Sequence, residues 1–255
     1  LAVKPASLVK IAVPALVGVC MGYAQTRVVD IGLLGCILIF VLAAQLAIVL
    51  LNDYADREAD AVHAETFPQL IDPRVIPQGL IGKNKILLAG GGAALAALGS
   101  GGGMGVLYGR EYGAYLATAV LLVFWLYSFP PVKLNYRGGG ELLEAAGVGG
   151  ILPLAGFYFY SGVLGDYPVY LTLPMLCYSL VSAMASGLKH EPADRHSGKK
   201  TACVLWGSVA VGWTILVLQG MAAGISVLGY ILGWYGLPML ALGGIVPLLM
   251  AWINC

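Results

Sequence analysis

The stretch IGLLGCILIFVLAAQLAIVL, residues 31–50, carries no charged side chain. An apolar run of that length is what a helix needs to cross the hydrocarbon core of a bilayer. Such runs recur at about 6–26, 31–51, 84–108, 113–130, 141–163, 168–188, 202–223 and 226–252, judged against the roughly 20 residues a spanning helix requires. The alternation of barrel strands is absent. The expected fold is therefore all-α, a polytopic membrane helix bundle with charged segments between its helices.

Composition agrees with that reading. The chain is 59% hydrophobic and 11% charged, whereas soluble domains are about 25% charged, so an ordinary soluble domain is excluded. The 36 glycines do not veto helices, since glycine and proline are commoner in membrane helices than in soluble ones. Cys20, Cys36, Cys177, Cys203 and Cys255 lie within or at the ends of apolar runs, at no metal-like spacing. They read as packing residues, not as a disulfide framework. No cleavable signal peptide is expected, and with Leu1 at one end and an apolar run at the other, either end is expected to be trimmed.

The formal net charge is only +1, but its distribution is informative. With the amino terminus placed in the cytoplasm, every one of the 14 Lys and Arg residues except Arg27 and Arg110 falls on the cytoplasmic side, a strong positive-inside signal. The 13 acids divide the same way, apart from Asp30, Glu111 and Asp166. Acids carry little topological weight, so their clustering has another cause. The reading is one multi-pass membrane domain over residues 1–255, with cytoplasmic loops at about 52–83, 131–140 and 189–201 that hold every dense cluster of charge. Its surroundings are the lipid bilayer, and nothing in the pattern calls for a nucleic acid or an obligate protein partner.

The first loop opens with LNDYADREAD. As a continuation of the second helix, Asp53, Asp56 and Asp60 stand at i, i+3 and i+7, while Asn52, Asp56 and Asp60 stand at i, i+4 and i+8, so all four share one face. Like charges at that spacing repel, and clustered oxygen donors suit a hard cation such as Mg²⁺. Mg²⁺ prefers one or two carboxylates together with waters and substrate phosphates. A carboxylate row at the end of an apolar helix is accordingly a candidate diphosphate site, and a merely solvated acidic helix end is the plain alternative.

The last loop, LKHEPADRHSGKKTACVLWG, repeats the chemistry. Glu191 and Asp194 are candidate metal ligands at i and i+3, and Arg195, Lys199 and Lys200 offer counter-charge to phosphate oxygens. Gly198-Lys199-Lys200-Thr201 lacks the upstream glycine and strand of a nucleotide-binding loop, which is excluded. Between the acidic loops lies YSFPPVKLNYRGGGELLEA. Pro130-Pro131 is expected to stop a helix and Gly138-Gly139-Gly140 to permit unusual backbone angles, with Glu141 and Glu144 opening the next helix. Lys133 and Arg137 are candidate diphosphate contacts bordered by Tyr127 and Tyr136. A basic loop that only obeys the positive-inside rule is the alternative.

Asn52-Asp53-x-x-Asp56-x-x-x-Asp60, the Tyr127 to Glu141 segment and Asp194-Arg195-x-x-Gly198-Lys199-x-Thr201, in that order, resemble the UbiA-type intramembrane aromatic prenyltransferases. YSFPPVKLNYRGGGELLEA and the Arg74-Val75-Ile76-Pro77-Gln78-Gly79-Leu80 segment look most like the menaquinone-pathway 1,4-dihydroxy-2-naphthoate branch. Other branches use 4-hydroxybenzoate, homogentisate or a chlorophyllide. Where that family usually has two aspartates four residues apart in its second motif, this chain has His190 and Asp194, which leaves either Glu191 as the substitute ligand or a second metal bound weakly. The family bundle usually has nine helices, against eight runs counted here.

The resemblance implies Mg²⁺-dependent transfer of an isoprenyl chain from a polyprenyl diphosphate to an aromatic acceptor. It implies two ions bridging the diphosphate, one held by Asn52, Asp53, Asp56 and Asp60 and the other by Glu191 and Asp194. Asp53, Asp56, Asp194 and Lys133 would then be catalytic, with Lys133, Arg137, Arg195 and Lys199 on phosphate oxygens. Tyr127 divides evenly between steadying a developing cation with its ring and ordinary interfacial anchoring, and His63 reads as a solvated residue. Arg57 divides evenly between a role there and a local ion pair. Outside this class, a transporter would place its acids near the bilayer midplane instead. A CDP-alcohol phosphotransferase would need an Asp-Gly and Ala-Arg signature that Asp53 to Asp60 lack.

Overall fold

The structure, a computed structural model, describes residues 5–66, 75–234 and 236. Among these there are helices and no strands, in keeping with a lipid environment where a helix satisfies its own backbone amides. The helices are α1 Pro5–Thr26, α2 Ile31–Ala55, α3 Arg57–Thr66, α4 Lys83–Tyr108, α5 Gly113–Ser128, α6 Gly140–Ala146, α7 Leu152–Ser161, α8 Val169–His196, α9 Ala202–Trp206 and α10 Ser208–Ile231. A π turn at Gly147–Ile151 joins α6 to α7. Six segments among the described residues are long and apolar enough to cross a membrane: Ser7–Thr26, Ile31–Ala55, Lys83–Tyr108, Gly140–Ser161, Val169–His196 and Ser208–Ile231, with Gly113–Ser128 a shorter apolar helix.

The first five apolar runs coincide with helices to within a few residues, and the differences lie further along. Residues 189–196 were expected in a loop but continue α8. The carboxylate of Glu191 and the guanidinium of Arg195 pair across one helical turn there, and α8 stops at Ser197, whose N–H reaches Ala193 O. Run 202–223 is broken at Gly207, whose φ of +83 and ψ of 152 suit a residue without a Cβ. Beyond it α10 passes straight through residues 224–225, where a gap between two spans was expected. One helix therefore replaces parts of the seventh and eighth runs, and residues 237–252 of the eighth lie outside the described residues.

Contacts divide the chain into two compact units, Leu1–Leu134 with Ile151–Tyr167, and Asn135–Gly150 with Pro168–Cys255. In the first unit α2 packs along α4 and α1 along α7. Lipid gives no hydrophobic drive for helices to associate, so close backbone approach has to supply the attraction. A Cβ on Gly156 would run into the Ala15 carbonyl, and one on Gly18 into the Pro153 carbonyl. Phe40 and Phe159 fill the interior edge to face, with ring centroids 4.9 Å apart. Arg110, one of two cations assigned to the outer side, donates from Nε and Nη2 to Phe159 O and Tyr160 O at 2.9 and 2.8 Å. These are last-turn carbonyls of α7, which have no partner within the helix.

In the second unit α8 packs on α10 and on α6. Gly149, in the π turn, lets the chain come close to Leu176, whose Cα would stand 2.7 Å from an added Cβ. Met184, Ala202, Cys203 and Val211 form a buried apolar cluster where α8, α9 and α10 meet.

Candidate functional site

In the first unit the acidic motif sits where α2 passes into α3. Asp56 caps α2 with φ −94 and ψ 4, yet its N–H still bonds Asn52 O at 2.9 Å and Asp60 N–H bonds Asp56 O at 2.8 Å. The helical stagger therefore survives the break. Asp53, Asp56 and Asp60 are only 3%, 5% and 2% exposed. Burying carboxylates is costly unless they are paired, hydrogen-bonded or bound to a cation.

Asn52 Nδ2 donates to Asp56 Oδ2 at 3.3 Å, and Ser128 Oγ approaches Asn52 Oδ1 at 3.5 Å. Ser128 is buried at the end of α5, so this contact brings the close of α5 to the acidic motif. Tyr127 beside it is half-buried, as is Lys133. Lys133 has φ +46, unusual for a residue with a Cβ, and its N–H bonds Phe129 O at 2.9 Å.

Two neighbours of this motif differ from expectation or are decided by contact. His63 is buried in α3, not solvated, because α3 is a helix and not a flexible loop. Arg57 donates to Tyr54 O and to Glu58 Oε1, both at 2.8 Å, with its guanidinium carbon 4.6 Å from the Tyr54 ring centroid. Those are local contacts, the structural side of its two readings. The Val75–Leu80 part of the branch-like segment folds into a turn, with Leu80 N–H and Ile81 N–H both reaching Val75 O and Val75 packed on Leu50 and Ile86. Arg74 lies outside the described residues.

In the second unit the other motif is spread over the end of α8 and the link to α9. Asp194 is 6% exposed, and its carbonyl accepts from Lys199 N at 2.9 Å. Glu191 is engaged by Arg195 at 2.7 Å. Lys199 Nζ stands 5.7 Å from the Tyr136 ring centroid, a cation over an aromatic face, while Arg137 is exposed. Two hydrogen bonds join the 135–141 segment to this region: Lys200 N–H to Asn135 O at 3.2 Å, and Ala202 N–H to the side-chain Glu141 Oε1 at 2.6 Å.

Cys203 reports how these acids gather. Burial first, and then the carboxylates of Glu141, Glu191 and Asp194, push its thiol up to about 11, and its Sγ sits 3.7 Å from Met184 O. It is a free, buried packing cysteine, as read from its neighbours in sequence.

Within the first unit the structure thus gathers Asn52, Asp56 and Ser128, and within the second it pairs Tyr136 with Lys199 and Glu191 with Arg195. Ser128, Asn135 and the Glu141–Ala202 tie were not foreseen from sequence, because each joins segments far apart in the chain. Among the described residues no three His, Cys, Asp or Glu side chains stand close enough to hold an ion alone. The donor chemistry nevertheless fits Mg²⁺: every proposed ligand is an oxygen, and Mg²⁺ is usually held by one or two carboxylates with substrate phosphates completing its shell.

Comparison with known proteins agrees with this picture. Residues 11–255 match the UbiA prenyltransferase family. The chain is 30% identical over 200 residues to a chloroplastic chlorophyll synthase of Oryza sativa subsp. japonica, covering 75% of this chain and 50% of the synthase. It is 24% identical over 236 residues to the 1,4-dihydroxy-2-naphthoate octaprenyltransferase of Bacillus subtilis strain 168, covering 86% of this chain and 73% of that enzyme. The chain thus spans about half the length of the chlorophyll synthases it matches. A UbiA homolog from Archaeoglobus fulgidus, solved bound to GPP and Mg²⁺, shares the fold with a TM-score of 0.77 at 14% identity, over 99% of this chain and 85% of the homolog. With apolar helices of membrane-spanning length and a match along nearly its whole length, the chain is an integral, multi-pass membrane protein of the UbiA prenyltransferase family.

Proposed function

We propose that this chain transfers an isoprenyl group from a polyprenyl diphosphate to an aromatic acceptor, with Mg²⁺ at the diphosphate. The observation that carries the reading is the burial of Asp53, Asp56 and Asp60 at the end of an apolar, membrane-length helix. An apolar tail and a charged head are what such a helix and such an end would hold together. The Archaeoglobus fulgidus homolog, which has this fold, was solved with GPP and Mg²⁺, which supports the same ligand class here. The reading treats residues 1–255 as a single domain, supported by the family match over 11–255. It places the amino terminus and acidic segments on the cytoplasmic side, supported by the Lys and Arg bias.

In this mechanism Asn52, Asp53, Asp56 and Asp60 would hold one Mg²⁺, and Asp194 with Glu191 would hold a second. When bound, Mg²⁺ neutralises diphosphate oxygens and so makes the diphosphate a better leaving group. Lys133, Arg137, Arg195 and Lys199 take up the charge that builds on the diphosphate as the allylic C–O bond lengthens. Tyr127 presents its ring to the allylic cation, and Tyr136 borders the head group beside Lys199. The acceptor ring then attacks as a carbon nucleophile.

The acceptor we propose is 1,4-dihydroxy-2-naphthoate, whose carboxylate would be lost on substitution, with the product a menaquinone-type quinone precursor. The YSFPPVKLNYRGGGELLEA and Arg74 to Leu80 segments and the Bacillus subtilis relative, matched over 86% of this chain, support it. A chlorophyllide-type acceptor is the second reading, favoured by the higher identity to chlorophyll synthase.

The test is transfer of a radiolabelled prenyl chain in liposomes, over a panel of aromatic acceptors, with Mg²⁺ or with EDTA. Mg²⁺-dependent product on dihydroxynaphthoate is expected. Product only on a chlorophyllide would keep the reaction and replace the acceptor, and folded protein that labels no acceptor would end the prenyltransferase reading.

A further inference from the structure

We infer that Glu141 is a positioning residue, one that sets Lys199 against the diphosphate by holding the first amide of α9. The inference rests on the proposed role of Lys199 as a phosphate contact. Glu141 sits in the first turn of α6, after Gly138 and Gly139, both at positive φ. That backbone turns its side chain across 61 residues of sequence to the Ala202 N–H, 2.6 Å from Oε1. A carboxylate accepting a backbone N–H at this distance is a charge-assisted hydrogen bond, stronger than a neutral one.

The N-cap residue of α9 does not do this work itself. Thr201 makes no side-chain cap bond, and its hydroxyl is buried without a hydrogen-bond partner, although a threonine at this position ordinarily satisfies a first-turn amide. Glu141, from another segment, satisfies the neighbouring first amide of the helix instead. The consequence reaches Lys199 because the link is short: Lys199 N–H is bonded to Asp194 O and Lys200 N–H to Asn135 O. Between Asp194 and Ala202 the chain is therefore pinned at successive points. Glu141 supplies the last, and Lys199 Nζ stands beside Tyr136 as a result. Gly138 suits this turn through its backbone, whose φ of +94 is one that residues with a Cβ rarely adopt. Glu141 has no part of its own in the reaction. Its effect should pass through Lys199 alone.

The test uses the full chain in detergent, with Glu141→Ala, Glu141→Gln, Lys199→Ala and the double variant Glu141→Ala/Lys199→Ala. Two readouts are taken: the KM for each substrate, and the rate of tryptic cleavage after Lys199 and Lys200 at a temperature where melting shows every variant folded. Glu141→Ala is expected to raise the KM for the prenyl diphosphate about tenfold, the scale of one charge-assisted hydrogen bond, and to leave the acceptor KM unchanged. Glu141→Gln, whose amide oxygen still accepts, should recover most of the loss. In the Lys199→Ala background the same substitution should add nothing, which is the mark of two residues acting as one. Cleavage after Lys199 and Lys200 should quicken in Glu141→Ala and not in Glu141→Gln.

A full tenfold effect persisting in the Lys199→Ala background overturns the inference, as does faster cleavage with an unchanged diphosphate KM, because the tie would then be structural only. Unaltered cleavage and KM overturn it as well. If the parent chain transfers no prenyl group, the function reading and this inference fall together, whereas an active parent with an indifferent Glu141 removes this inference alone.

Discussion

Arg195 gives its Nε–H and one Nη–H to the same oxygen of Glu191, at 3.1 and 2.7 Å. This i,i+4 pair is half in solvent, its side chains 58% and 24% exposed for Arg195 and Glu191, so it adds less than about 1 kcal/mol to stability. Both residues are nonetheless proposed to bind the diphosphate and its ion. Glu191→Ala should therefore leave the melting transition almost where it was, yet raise the Mg²⁺ concentration for half-maximal transfer about tenfold, the lower range for loss of a metal-supporting group. A Mg²⁺ titration of initial rates checks this, and an unchanged requirement would take Glu191 out of the metal site.

Asp53, Asp56 and Asp60 are buried carboxylates on one helical side, an arrangement that suits function better than stability. Asp56→Ala is expected to lower kcat by about 10³-fold or more, the scale of losing a principal electrostatic group, and EDTA should do the same to the parent. Asp60→Asn keeps the size of the side chain and removes its charge, and should lower activity and raise the Mg²⁺ concentration needed for it. Mg²⁺ titrations of the transfer assay test both, and an Asp60→Asn with the parent's Mg²⁺ requirement would contradict the account.

Cys203 offers a probe independent of turnover. Burial and the carboxylates of Glu141, Glu191 and Asp194 raise its folded pKa to about 11, so the folded protein holds the thiol proton more tightly than the unfolded chain. Stability that depends on this proton is complete below the ordinary thiol pKa and is lost as pH rises toward 11. At pH 8 alkylation of Cys203 in the folded protein should run about a hundredfold slower than in the denatured chain, since the thiolate is the reactive form. Mass spectrometry of a timed alkylation reads the ratio. Neutralising Glu141 with glutamine should speed the Cys203 reaction, and equal rates in the folded and the denatured parent would show that the thiol is not held as described.

The seam between α1 and α7 rests on glycine. Gly156→Ala places a methyl against the Ala15 carbonyl, a backbone atom that cannot rotate away. Overpacking of this kind costs about 1–3 kcal/mol. The expected outcome is a lower melting temperature, whereas Gly91→Ala, which has open space around its Cβ position, should be neutral. Equal effects from the two substitutions would mean that this seam is not close-packed.

Much of this was legible in the sequence because it is local. An uncharged run of membrane length decides its own structure, whatever else the chain does, and α1, α2, α4 and α5 begin and end close to where their composition changes. The Asn52, Asp53, Asp56 and Asp60 face was legible for the same reason, since helical spacing is a property of a few consecutive residues. Where the local signal was weak the reading slipped: charged residues 189–196 looked like a loop, and only the Glu191–Arg195 pair and the stop at Ser197 show α8 continuing. Gly207 breaks an apolar run through its backbone angles, while Gly224, no different in sequence, is carried inside α10. Tertiary structure alone decided which carboxylates are buried, that Ser128 reaches Asn52 across 76 residues, and that Glu141 caps α9 across 61. Hydrogen-bond geometry depends on where folding brings distant segments, and spacing along the chain carries no record of that.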